Sequence, residues 1–286
     1  MADLSYIQAL VLGVVEGLTE YLPVSSTGHL TITEKLMGLK VDDPAVTAYT
    51  AIIQLGAIAA TLLYFIKDIV RFAVAWGRGL GNEQARQDPD YGLAWAVIIG
   101  SIPVGIVGFV AKDVISGGLR SLWVVAAALI LWSVVMVVAE RMHTTFEREG
   151  VVRGEHSVRP MDGLVIGLVQ CFSLIPGVSR SGATISAGLA RGIDRVTATR
   201  LSFFLAIPAL TAAGLFEAYK ERSGLSQFGI GPMLLGLVVA FVVAYASIAW
   251  LLKFVASNSL LSFVWYRVAL GAVLAVVLGA GWMTAT

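Results

Sequence analysis

Six runs of apolar residues, at 46–66, 92–110, 121–139, 201–219, 231–252 and 259–283, approach or exceed the span of a bilayer. Crossing the hydrocarbon core takes roughly 20 apolar residues as a helix. At that depth no water satisfies the backbone, so a spanning segment must bond to itself. A soluble bundle would show a polar face recurring every three or four residues, and these runs lack it. Hydrophobic residues make up 57% of the 286, charged residues only 14%, and mean hydropathy is +0.83. The chain therefore reads as an all-α integral membrane protein with six transmembrane helices. No charge-rich or Ser/Pro-rich linker separates two soluble halves, so one membrane domain over 1–286 is expected. A net charge of +1 argues against a nucleic-acid partner. The single Cys171 excludes an internal disulfide and a multi-cysteine metal site. The start, MADLSYIQAL, carries an acidic Asp3 where a cleavable signal peptide would be basic.

Polar interruptions fall at 67–91 and 140–162, with shorter ones at 38–45, 111–120, 191–200, 220–230 and 253–258. Two segments, 4–37 and 163–190, are apolar at both ends but carry Pro, Ser and Gly in the middle. Irregular backbone at membrane depth survives only where protein or a water-filled cavity satisfies it. Each segment is therefore predicted to be a re-entrant helical hairpin, broken near Pro23 and Pro176; the plainer alternative is two kinked spans.

The two segments also match each other. LGVVEGLTEYLPVSSTG (12–28) aligns with IGLVQCFSLIPGVSRSG (166–182), pairing Gly13 with Gly167, Ser25 with Ser179 and Gly28 with Gly182. An inverted-topology repeat is expected, repeat one at about 1–140 and repeat two at about 160–286, with a cytoplasmic linker at about 140–162. Threading the chain from outside tests this. The inner side then receives Lys67, Arg71, Arg78, Arg86, Arg141, Arg148, Arg153, Arg159, Arg191, Arg195, Arg200 and Lys253, the outer side Lys35, Lys40, Lys112, Arg120, Lys220 and Arg222. That bias obeys the positive-inside rule and leaves Arg180 and Arg267 within the membrane.

The chemistry-bearing residues lie in the hairpins. Glu16 and Glu20 are four apart, so a helix presents both carboxylates on one face, about 6 Å apart. Buried carboxylates in a membrane mark a pathway or a site, although a purely structural pair bonded to backbone is the alternative. Ser25-Ser26-Thr27-Gly28-His29 follows, hydroxyls and glycine suited to a helix N-terminus that attracts anions. His29 is the one histidine in an apolar part of the chain, while His143 and His156 are expected to be solvated in a charged loop. The second hairpin adds Arg180 among Ser179, Ser181, Gly182 and Thr184. A guanidinium suits bidentate capture of phosphate oxygens, or it pairs with Glu16 or Glu20 to join the halves. The combination suits phosphoryl transfer.

The motifs EGLTEYLPVSSTGH (16–29) and PGVSRSGAT (176–184), with Gln54-Leu55-Gly56 in the next span, resemble the signatures of the bacterial undecaprenyl-diphosphate phosphatases, also called bacitracin-resistance proteins. The resemblance covers essentially the whole chain. It implies a multi-pass enzyme of the bacterial inner membrane with its cleft on the outer face. Such an enzyme removes the terminal phosphate of undecaprenyl diphosphate and so recycles the carrier lipid of cell-wall synthesis. Carried residue by residue, it implies Glu16, Glu20, Ser26, His29 and Arg180 as essential. Ser25, Thr27, Gly28, Gln54, Ser179, Ser181, Gly182 and Thr184 become substrate contacts. It also implies stimulation by a divalent cation, Mg²⁺ or Ca²⁺, for which Glu16 and Glu20 are candidate ligands. Arg200 departs from the pattern, since some members carry an acidic residue there.

Two mechanisms remain open at this point. Ser26 attacks phosphorus, with His29 or a glutamate taking its proton, or water attacks directly with Glu20 as base. A secondary transporter or lipid flippase with a midplane anion site is the alternative function, because broken helices in inverted repeats are shared with carriers. The expected partners are the isoprenoid diphosphate lipid and the bilayer, with a homodimer left open.

Overall fold

A computed structural model describes residues 4–41, 43–111, 114, 121–220 and 229–285. Among these the chain is helical throughout. Its helices are α1 (Tyr6–Thr19), α2 (Ser26–Leu36), α3 (Pro44–Tyr64), α4 (Ile66–Gly81), α5 (Pro89–Val110) and α6 (Leu122–Glu149), then α7 (Pro160–Gln170), α8 (Arg180–Ala190), α9 (Arg195–Lys220), α10 (Ile230–Val255) and α11 (Leu261–Gly279). Six of them, α3, α5, α6, α9, α10 and α11, are long and apolar enough to cross a membrane. Asp43 and Asp88 cap α3 and α5 through side chains that accept from Ala45 N and Asp90 N, each ahead of a proline in the first turn.

The hairpin helices are short. α1 has 14 residues and α2, α7 and α8 have 11 each. At 1.5 Å per residue they reach only about 16–21 Å against a hydrocarbon thickness of about 30 Å. That length is consistent with two re-entrant hairpins. The packing is consistent with the repeat as well. α1 lies along α10 and α7 lies along α5, while α3 packs on α9 and α6 on α11, so corresponding helices find corresponding partners. Small residues set both hairpin contacts. A Cβ on Gly13 would meet the Gly236 carbonyl, and one on its counterpart Gly167 would meet the carbonyl of Gly100. Close backbone approach through small residues is how helices pack where lipid is as apolar as leucine.

Several polar interruptions turn out to be helical. The amphipathic stretch 67–80 forms most of α4. α6 runs on to Glu149, through ten residues whose charge suggested a loop, and stops at Gly150 in the left-handed region (φ 68°). This extension corrects the expectation for His143. It is 1% exposed, not solvated, with Nε2 3.3 Å from Glu147 one turn on; His156 is exposed as expected. The extension holds because Arg195, opening α9, bonds Glu140 at 2.9 Å and Glu147 at 2.7 Å. At the same end Asp162 is held by Arg153 at 2.9 Å and Arg191 at 2.8 Å. Arg200 bridges Asp68 and Glu155 at 2.9 and 2.8 Å. Most of the interruptions 111–120 and 220–230, with Lys112, Arg120 and Arg222, lie outside the described residues.

Candidate active site

Both hairpins break the same way. Ser25 and Ser179, 154 residues apart, take φ of 76° and 75°, and they are the only described non-glycine residues at positive φ. Holding an L-residue there costs on the order of 1–3 kcal/mol and persists only where the surroundings over-determine it. Here each serine is the N-cap of the returning helix. Ser25 Oγ accepts from Gly28 N at 3.4 Å, and Ser179 Oγ accepts from Gly182 N at 3.1 Å. Ser25 Oγ also accepts from Gly177 N of the other hairpin, at 3.2 Å. The two N-termini thus meet, bringing α2 and α8 to one place.

The side chains join across that meeting. Ser26 Oγ donates to Glu20 Oε2 at 2.6 Å. Arg180 Nη2 reaches Glu20 Oε1 at 3.4 Å and the Glu20 carbonyl at 3.3 Å, while Nη1 donates to the Ser202 carbonyl at 2.9 Å. Glu20 therefore holds the serine with one oxygen and the guanidinium with the other. Of the pairings left open for Arg180, Glu20 is the one made. Glu16 lies one turn back on α1, 1% exposed, with Oε1 lacking any hydrogen bond. The charges acting on it are Glu20, Arg180 and Glu34.

The remaining hydroxyls serve varied ends. Ser181 Oγ donates to the Leu22 carbonyl at 2.9 Å and lies 3.1 Å from Ser179 Oγ, stitching hairpin to hairpin. Thr184 is wholly buried behind Arg180 and donates to Ser202 Oγ at 2.7 Å. Thr27 is exposed beside Ser26. Gly28 and Gly182 supply the capped N–H groups. Gln54 is placed differently: its Oε1 lies near Gly214, facing α9.

His29 is held by two bonds, Nδ1 to the Ser25 carbonyl at 2.7 Å and Nε2 to Tyr266 Oη at 2.6 Å. Tyr266 and its neighbour Arg267 come from α11 and are the residues that motif reading missed. Arg267 is 0% exposed, and it binds the Pro23 carbonyl at 3.1 Å and the Gly177 carbonyl at 2.9 Å, one from each break. Its other partners are Ser133 Oγ and the Ala128 carbonyl, so every hydrogen-bond partner is a neutral oxygen. A buried guanidinium without a carboxylate is costly and favours an anion nearby. The signal in the sequence was a lone arginine inside an apolar span.

Among the described residues, no group of three or more His, Cys, Asp or Glu side chains could hold a metal ion. Glu16 and Glu20 offer two carboxylates, one with an unsatisfied oxygen. Glu20 already spends one oxygen on Ser26 and the other on Arg180, so the oxygen left open in this pair is Glu16 Oε1.

Six apolar spans and two helical hairpins, whose capped breaks bring a carboxylate-bound serine against an arginine, define a multi-pass membrane protein with a buried polar cluster where the hairpins meet. The model of the bacitracin resistance protein BacA family matches residues 9–273, and the chain belongs to that family. The undecaprenyl-diphosphatase of Cutibacterium acnes is 54% identical to it over 279 residues, covering 95% of this chain and 96% of that protein. Undecaprenyl-diphosphatase 3 of Frankia casuarinae is 54% identical over 285 residues, covering 99% and 100%. The undecaprenyl-diphosphatase of a Mycobacterium species is 47% identical over 281 residues, covering 97% and 98%.

Proposed function

We propose that this protein is an undecaprenyl-diphosphate phosphatase, a hydrolase that returns the carrier lipid to its monophosphate for peptidoglycan synthesis. The observation that carries this reading is Ser26 bound to Glu20 beside Arg180, where two helix N-termini converge. An activated hydroxyl, its proton acceptor and an anion clamp are the parts phosphoryl transfer needs. A carrier would need the charge but not the hydroxyl.

The geometry supports serine attack. Ser26 Oγ forms a bond to the terminal phosphorus and its proton passes to Glu20, already 2.6 Å away. The bridging P–O bond breaks, and its electron pair leaves on the lipid monophosphate. Arg180 and the N–H groups at the starts of α2 and α8 stabilise the transferring oxygens. Water then attacks the phosphoserine, and the Ser26 oxygen leaves, recovering its proton from Glu20. A divalent cation held by Glu16 and Glu20 would neutralise charge on the diphosphate. In a bacterial plasma membrane, twelve basic residues against six across the threaded loops favour the orientation with the site on the outer side.

Phosphate release from a diphosphate lipid in detergent tests the function, since no gradient exists there and a transporter or flippase would release none. Ser26→Ala should leave only trace turnover, and a phosphoserine should be trapped at Ser26 in the parent protein. Undiminished release by the variant would move the role of nucleophile to water.

A further inference from the structure

Tyr266 belongs to no motif of the hairpins and lies 237 positions from His29, yet the two are bound side chain to side chain. The Ser25 carbonyl can only accept, so His29 Nδ1 carries the hydrogen and Nε2 of the neutral ring carries none. Tyr266 Oη, 2.6 Å from Nε2, is therefore the donor. The two rings also lie nearly parallel, 10° apart with centroids at 5.6 Å, which fixes the tilt of the imidazole.

Each partner is itself rigid. The Ser25 carbonyl belongs to the strained N-cap that Gly177 of the other hairpin also binds. Tyr266 precedes Arg267, whose guanidinium ties α11 to the carbonyls of both breaks. The imidazole is thus a proton acceptor held in one tautomer at the rim of the site. It is not bound to Ser26, whose proton is directed to Glu20. It does lie three residues after Ser26 on α2, a spacing that puts both on one helix face.

We propose that Tyr266 holds His29 and relays a proton to it as the base for the second half of the reaction, hydrolysis of the phosphoserine. This rests on the phosphatase reading above. As water bonds to phosphorus, its proton goes to Tyr266 Oη while the tyrosine's own proton passes to His29 Nε2, and the Ser26 oxygen leaves and takes back the proton stored on Glu20. The tyrosine hydroxyl, which has lone pairs as well as a proton, then turns to accept from the new Nε2–H.

The test uses the full-length protein in detergent with a diphosphate lipid. Tyr266→Phe keeps the stacked ring and removes only the hydroxyl. It should lower kcat about tenfold, as loss of one hydrogen bond to a reacting group would, with KM within about twofold. Phosphoserine should accumulate in Tyr266→Phe while the first-turnover release of lipid monophosphate keeps its rate. His29→Ala should show the same accumulation, and Tyr266→Phe should add nothing in that background. Trp265→Phe, next door and 73% exposed, should behave as the parent. Independent losses that multiply in the double variant, or slowed formation of phosphoserine in Tyr266→Phe, would overturn the proposal. Absence of phosphate release from the parent protein would instead overturn the phosphatase reading.

Discussion

At the scale of single residues, Glu20 is the pivot, because its two oxygens separate two tasks. Oε2 receives the Ser26 hydroxyl and Oε1 receives Arg180. Glu20→Gln preserves size and can still accept a hydrogen bond, but an amide cannot take a proton. Turnover should fall by about 10²–10⁴-fold, the usual worth of a general base, with lipid binding largely kept. A steady-state assay giving unchanged kcat for this variant would remove Glu20 from proton transfer. The residues of this cluster were legible because carboxylates, hydroxyls and an arginine stand out against hydrocarbon. Arg267 stood out too, but its partners did not. Its contacts with Pro23 and Gly177 lie 244 and 90 positions away, and no periodicity connects residues so distant.

Among elements, the paired breaks matter most. Proline removes a helical N–H and restricts the residue before it, so Pro23 and Pro176 announce where each hairpin stops. They do not announce a serine at positive φ. Ser179→Gly relieves that backbone strain while losing the cap, whereas Ser179→Ala loses the cap and keeps the strain. The alanine variant should therefore melt lower than the glycine variant in detergent, the difference being on the order of 1 kcal/mol. Equal melting would mean that the φ at this position carries no cost. Element boundaries misread from composition have one cause. The charges of 140–149 suggested a loop, but the carboxylates of Glu140 and Glu147 meet Arg195, so the helix continues. A charge run reads as solvated only until its counter-ions are known.

For the whole molecule, an aromatic chain through Tyr21, Phe203, Phe65, Phe204 and Phe72 joins the hairpin site to the ion-paired end, with successive ring centroids 5.0–5.9 Å apart. The proposed orientation puts the charged end on the inner side of the membrane and the opening of the site on the outer side. In a Cys171→Ala background, Thr27→Cys should react with a membrane-impermeant thiol reagent applied to intact cells. Arg148→Cys, exposed at the end of α6, should react only after permeabilisation. The reverse pattern would invert the topology. By itself the amino-acid sequence determined the membrane class, the apolar spans, the two breaks and the polar residue types placed inside them. Hydropathy and local backbone preference act over a few residues, so these are visible in one dimension. Only the tertiary structure decided that Glu20 divides itself between Ser26 and Arg180, that Tyr266 holds His29, and that Arg267 is surrounded by neutral oxygens. Those pairings depend on how helices far apart in the chain are brought together by close glycine contacts and capped turns, and such packing leaves no periodic trace.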